Sequence, residues 1–223
     1  MPGGLRDLVA DVRRRISRVP DEGVRMALTC CYLLAARASE VVASASGSDT
    51  TTPYGPRGTD AWQDVYDHYG RKVEVAVFRL RTAKRGGLER YVGLPLDPVY
   101  EPLTRPVFEY FKSCGGGPCF PFTRQTLFLH ASKAFRGLTY PIEKYRGVDR
   151  HEKGAGVHFL RHLRASELRW EYGIKGENLA DYGGWSYRQF GMTATMARYQ
   201  MMTWHGYFPL LLKPSPYAAA CTA

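Results

Sequence analysis

An α+β fold, mostly helical with one small antiparallel hairpin, is the class this chain of 223 residues predicts, and three observations carry it. Stretches free of Pro and Gly repeat apolar residues at roughly helical spacing, as in Val157, Leu160, Leu163 and Leu168, closed by Gly173. Val73 to Arg81 alternates like a strand, and Arg90 to Leu94 reads as its return partner across a Gly-tipped turn. Hydrophobic residues make up 44% of the chain and aromatics 13%, which suits a packed core, and the length suits one main domain.

Residues 1–20 set Arg6, Arg13, Arg14, Arg15 and Arg18 among Leu5, Leu8, Val9, Val12 and Ile16. The spacing predicts a basic amphipathic helix, or a remnant linker, closed by Pro20; its charges either meet solvent or lie along a polyanion. Residues 21–213 read as the principal domain. Asp21 and Glu22 favour a helix start, and 24–45 is a largely apolar helical stretch. Residues 46–70, rich in Ser, Thr, Gly, Pro and Asp without periodicity, read as a long loop insertion. Beyond the hairpin, 98–113 reads as a short helix with Val107, Phe108 and Phe111 inward, 114–118 as a Gly-rich loop and 125–136 as another helix. Residues 140–156 carry Lys144, Arg146, Arg150, His151 and Lys153 and read as a basic loop, in contact with phosphates or with water. Glu177 to Tyr182 fits a short helix broken by Gly183-Gly184; a helix from 193 to 203, an apolar stretch at 207–212 and a tail at 214–223 follow.

The formal net charge is +10 and the pI about 9.5, with Arg well in excess of Lys. A coding bias toward Arg explains the preference for Arg but not the surplus of positive charge, which points to a polyanionic partner. No apolar run reaches the roughly 20 residues of a membrane span, and no signal-peptide core opens the chain, so a soluble cytoplasmic protein is expected, with no membrane partner. Five Cys, with Cys30 and Cys31 in an apolar stretch, fit reduced thiols. Cys114 and Cys119 lack a second pair at zinc spacing, and no metal site is expected.

Several side chains invite a chemical reading beside a plainer one. His158 and Arg161, three apart on a helix, share a face and suit a phosphate, or else His158 packs near the helix start while Arg161 reaches solvent. Arg37, held between apolar runs, needs either Glu40 or a ligand. Lys84 at the hairpin turn is either a surface charge or a mobile proton donor. Trp185 is either a core aromatic or an N–H donor to a phosphate oxygen.

The order Arg37-Ala38-Ser39-Glu40, the hairpin Lys84, Phe120-Pro121-Phe122-Thr123-Arg124, His158-Phe159-Leu160-Arg161-His162, Gly184-Trp185 and Ala197-Arg198-Tyr199 resembles the catalytic domain of the tyrosine recombinase (phage integrase) family. Each motif alone is weak; the ordered set spans most of the chain. The resemblance implies a site-specific recombinase acting without metal or other cofactor on double-stranded DNA, as a homo-oligomer, a tetramer on its site. It implies Arg37, Lys84, His158, Arg161 and Trp185 around the scissile phosphate with Tyr199 as nucleophile, and flanking DNA contacts from Arg85, Arg124, Lys144, Arg146, Arg150, Lys153 and His162. The alternatives are type IB topoisomerase-like relaxation, or a DNA-binding module of the same fold that has lost cleavage.

Some positions depart from the family pattern. Ala36 stands where a Gly is common, and the 46–70 stretch is typically shorter. The 14 residues from Trp185 to Tyr199 imply an insertion near 187–191, with Tyr207 the next candidate nucleophile; Arg81 competes with Lys84 for the hairpin position. The N-terminal DNA-clamping domain usual in the family has only some 20 residues in its place, which implies either the catalytic domain of a longer protein or a minimal enzyme. The tail after Tyr199 either folds back or docks on a neighbouring subunit.

Overall fold

A computed structural model describes residues 4–42, 55–81, 89–142, 151–185 and 203–217. In chain order these form α1 (Gly4–Ser17), α2 (Glu22–Leu33), α3 (Ala38–Val41), a 3-10 turn (Gly58–Asp60), β1 (Ala61–His68), β2 (Arg71–Arg81) and β3 (Glu89–Pro95). There follow α4 (Thr104–Cys114), α5 (Arg124–Ala134), β4 (Thr139–Ile142), β5 (His151–Gly154), α6 (Val157–Trp170), α7 (Gly176–Gly183) and α8 (Phe208–Leu211). The class is α+β: a helical body with a three-stranded antiparallel sheet in the order β1-β2-β3 and a separate two-stranded pair, β4-β5.

Helix α2 is the hub of the core. Asp21 caps it, its carboxylate accepting from the Val24 N–H at 2.8 Å, and every residue from Ala27 to Ala36 is buried. Helices α1, α4, α5 and α6 all pack on it. The apolar stretch from 24 to 45 is not one helix, because Ala35 adopts a left-handed φ of 45° that no continuing helix tolerates. The chain turns there and restarts at α3, with Arg37 at the new N-terminus.

Three further sequence expectations change. Residues 61–68, inside the expected 46–70 loop, form the edge strand β1, which pairs with β2 from Ala61↔Phe78 to His68↔Arg71. Its turn, Tyr69-Gly70, has positive φ at both residues (53° and 82°), the geometry whose twist matches a two-residue hairpin. The basic 140–156 loop begins and ends in strands, β4 and β5, paired from Thr139↔Gly154 to Ile142↔His151. Helix α4 starts at Thr104, and residues 98–103 are turn rather than helix.

On α1, Val9, Val12 and Ile16 face the core together with Arg13, whose guanidinium enters an internal ion network. Arg13 meets Glu101 through both terminal nitrogens at 3.0 Å and Glu167 at 3.3 Å. Arg164 of α6 bridges the same two carboxylates, at 3.1 Å to Glu101 and 2.8 Å to Glu167. The Tyr32 hydroxyl donates to Glu167, and Tyr217 lies under Arg13 with its ring centroid 4.5 Å from the guanidinium carbon. Two cations and two anions balance, so the desolvation of each is offset by a partner.

Burial raises the Glu101 carboxyl, but Arg13 and Arg164 outweigh it and leave Glu101 below the ordinary carboxylate value of 4.5. A carboxylate depressed in the folded state stabilises fully above its unfolded value and loses that contribution as pH falls through the folded one. Urea unfolding is therefore expected to give a stability that is flat above about pH 5 and falls below it, with a shallower fall in Glu101→Gln. Arg164→Met, which leaves the buried carboxylates of Glu101 and Glu167 to share the one guanidinium of Arg13, is expected to lose about 3–5 kcal/mol in the same measurement, while exposed Arg169→Met stays within about 0.5 kcal/mol of wild type.

Candidate functional site

One turn before Arg164, the same helix buries a second guanidinium. Arg161 is only 2% exposed, and its environment differs from that of Arg164. One terminal nitrogen donates to the Ala35 carbonyl at the α2–α3 turn, and the other donates to the Gly183 carbonyl at 2.7 Å. The Trp185 ring lies 4.5 Å from the guanidinium carbon, close enough for cation–π attraction. Gly183 is required for this packing, since a Cβ there would collide with the six-membered ring of Trp185. Gly184, at a left-handed φ of 63°, ends α7 and delivers Trp185 to that position.

Glu40 organises the cluster. Its side chain accepts from Arg37 at 2.8 Å and from the Arg37 backbone N–H at 3.0 Å, so Glu40 alone is the acceptor that closes the start of α3. Arg90 of β3 reaches Glu40 at 3.2 Å, and Arg161 lies 3.7 Å away. Arg90 is itself fully buried; it also donates to the carbonyls of Leu34 at 3.0 Å and Tyr182 at 2.5 Å, while its Nε–H has no partner among the described residues. One side chain thus ties the sheet to the α2–α3 turn and to the end of α7.

Among the described residues Arg37, Arg90 and Arg161 pair with one carboxylate, that of Glu40, so these four groups carry surplus positive charge in a low-dielectric setting. Burial raises the Glu40 carboxyl, yet Arg90 and Arg161 outweigh it and hold it below its ordinary value. Burial, and then repulsion from Arg90, lowers Arg161 to about 9, only partly offset by Glu40. Arg37 is the cation nearest solvent, its side chain 25% exposed. A doubly donating, pre-fixed group of guanidiniums of this kind suits a tetrahedral oxyanion.

The structure brings together Arg37, Arg161 and Trp185 from the sequence-derived set. His158 lies one turn before Arg161 on α6 but is exposed, its ring 4.5 Å from the equally exposed His162 in an edge-to-face contact. Arg124 begins α5, just after the Thr123 cap. Lys153 lies on β5. Lys84, Arg85, Lys144, Arg146, Arg150 and Tyr199 lie outside the described residues. Arg81, the competitor to Lys84, ends β2 at 3.6 Å from Glu89. Tyr207 is fully buried; its hydroxyl accepts from the Gly93 N–H at 3.1 Å, and burial raises its pKa, so it is a core residue and not a reserve nucleophile. Arg37 does take Glu40 as partner, and the pairing still leaves positive charge over.

Two members of this arrangement escaped the sequence reading. Arg90 is read only as the start of the return strand, since an Arg between Glu89 and Tyr91 carries no pattern that separates a buried one from an exposed one. Glu40 was read as a partner for Arg37 alone. Among the described residues no group of three or more His, Cys, Asp or Glu is arranged to hold a metal ion, and Cys30, Cys31, Cys114 and Cys119 are free thiols.

Removing the shared carboxylate tests the surplus-charge account. Glu40→Gln keeps the size but leaves three cations facing one another, with an expected loss of about 3–5 kcal/mol in unfolding. Inorganic phosphate at matched ionic strength is expected to raise the melting temperature of wild type, to raise that of Glu40→Gln further, and to have no such effect on Arg161→Met.

Among the described residues no helix is long and apolar enough to cross a membrane. No family model, curated protein or solved structure was found to match the chain.

Proposed function

We propose that the chain is a tyrosine-type DNA strand transferase with the catalytic-domain fold of a site-specific recombinase. The observation that carries this is the net-positive cluster of Arg37, Arg90 and Arg161 around Glu40, capped by Trp185, which is matched to a phosphodiester rather than to a neutral substrate. The motif order in the sequence supplies the remaining roles. The Tyr199 hydroxyl gives its proton to water and its oxygen attacks a DNA phosphorus, a phosphotyrosyl bond forms at the 3′ side, and the bond to the 5′ oxygen breaks. Lys84 gives that leaving oxygen its proton. Arg37 and Arg161 stabilise the charge that builds on the pentacoordinate phosphorus, and His158 and Trp185 hold its oxygens. A free 5′-hydroxyl reverses the step on the same strand or on another, so the energy of the broken bond is conserved and no cofactor takes part. Duplex DNA is the partner, and exchange between two duplexes calls for a homo-tetramer on the paired sites.

A second reading, a DNA-binding module that does not cleave, draws on the state of Arg161: it is 2% exposed and two of its N–H groups are spent on the carbonyls of Ala35 and Gly183. A guanidinium has five N–H donors, so three remain for a ligand or for Glu40.

A nicked duplex that loses its short 5′ fragment after cleavage traps the covalent intermediate on a denaturing gel. Wild type is expected to give a protein–DNA band on its site, Tyr199→Phe none, and Arg161→Met a band formed about 10²–10³-fold more slowly. Binding without a band in wild type favours the module, and a band that survives Tyr199→Phe assigns the nucleophile elsewhere.

A further inference from the structure

The C-terminal halves of α1 and α5 flank an open cleft of about 750 Å³ that shares no residue with the Glu40 cluster. Arg14, Arg15, Arg18, His130 and Lys133 line it, with Asp11 as the sole carboxylate. Asp11 is already committed: Arg14 approaches it at 2.6 Å and Arg15 at 2.7 Å, and these pairs hold the carboxyl below its ordinary value against the opposing effect of burial. Arg15 also donates to the carbonyls of Ala134 at 3.3 Å and Arg136 at 3.1 Å, which fastens the end of α1 to the end of α5 and fixes the width of the cleft. Arg18 and Lys133 are exposed and have no carboxylate partner among the described residues.

Basic side chains near a helix C-terminus ordinarily offset its carbonyls. That accounts for Arg14 and Arg15 in the last turn of α1 and for Lys133 in the last turn of α5. Arg18 directly follows α1 and comes under the same explanation, whereas His130 of α5 lies before that helix's last turn. The rest of the lining is Val19, Pro20 and Ala134, so the cavity has no Phe, Tyr or Trp on which a base would stack. Its chemistry recognises phosphates and not bases.

We infer that this cleft is a second nucleic-acid contact, which grips the phosphate backbone of duplex DNA away from the Arg37–Arg161 cluster and independently of sequence. The inference rests on duplex DNA being the substrate. Its role is to add affinity that the cleavage site alone lacks, as a salt-sensitive anchor.

The test is fluorescence anisotropy of a labelled random-sequence duplex with the full chain across a salt series. Arg18→Glu/Lys133→Glu is compared with Arg71→Glu/Lys72→Glu, an equal charge change at the exposed start of β2, and thermal melting checks that both are folded. The cleft variant is expected to bind at least about tenfold more weakly, with a log-affinity against log-salt slope shallower by about 2, and the control to change affinity less than about threefold. Equal weakening in both variants would reduce the effect to net charge and overturn the cleft assignment, as would no weakening in either. Both of those outcomes leave the DNA reading standing. Wild type that binds no duplex at low salt would remove the cleft assignment and the DNA reading together.

Discussion

Burying two guanidiniums three residues apart on one helix is the constraint from which the rest of this structure follows. Arg161 and Arg164 both point into the protein from α6, and each must be compensated where water is excluded. Arg164 is compensated in full, by Glu101, Glu167 and the hydroxyl of Tyr182. That network gathers α1, α2, α6, α7 and the segment around Tyr217 into one body. Arg161 is compensated in part, by two carbonyls, one aromatic face and a carboxylate already shared with Arg37 and Arg90. The first arrangement balances its charges; the second, among the described residues, has more cations than carboxylates.

The elements around Arg161 exist in the shapes that this incomplete compensation requires. The left-handed Ala35 turns its carbonyl toward α6 and places Arg37 at the start of α3, where the Glu40 carboxylate closes the cap. The Gly183-Gly184 pair frees a carbonyl for Arg161 and brings Trp185 over it. Strand β3 contributes Arg90 from the far side, so the sheet is part of the site and not only its support. Such rigid placement costs stability, and the strained Ala35 and the surplus of cations are where that cost is concentrated.

Much of this was legible in the sequence, for identifiable reasons. Long periodic stretches such as 157–170, and sharp signals such as the Asp21 cap and the Gly183-Gly184 break, depend on local chemistry and survive into the structure close to their expected bounds. Strand β1 was not legible, because Gln63, Asp64, Val65 and Asp67 face solvent on an edge strand and show little apolar alternation; the Tyr69-Gly70 turn was the signal available. The α2–α3 turn was hidden because no Gly or Pro marks it and its burial keeps the sequence apolar. In the candidate site, Arg37, Arg161 and Trp185 were legible from motif order, whereas Arg90 and Arg164 were not. A buried Arg is defined by its partners, here Glu40, Glu101 and Glu167, and those lie up to 154 residues away along the chain.

The central claim is that the Glu40 cluster is built to receive a phosphate-like oxyanion. Crystals soaked in tungstate, an anomalously scattering tetrahedral oxyanion, test it most directly. An anomalous peak is expected within hydrogen-bonding distance of both Arg37 and Arg161, with the Arg37–Glu40 pair lengthened or reoriented to admit it. A map with tungstate at other basic sites, and Arg37, Glu40 and Arg161 bare of it with their contacts unchanged, would contradict the account and leave the cluster a structural one.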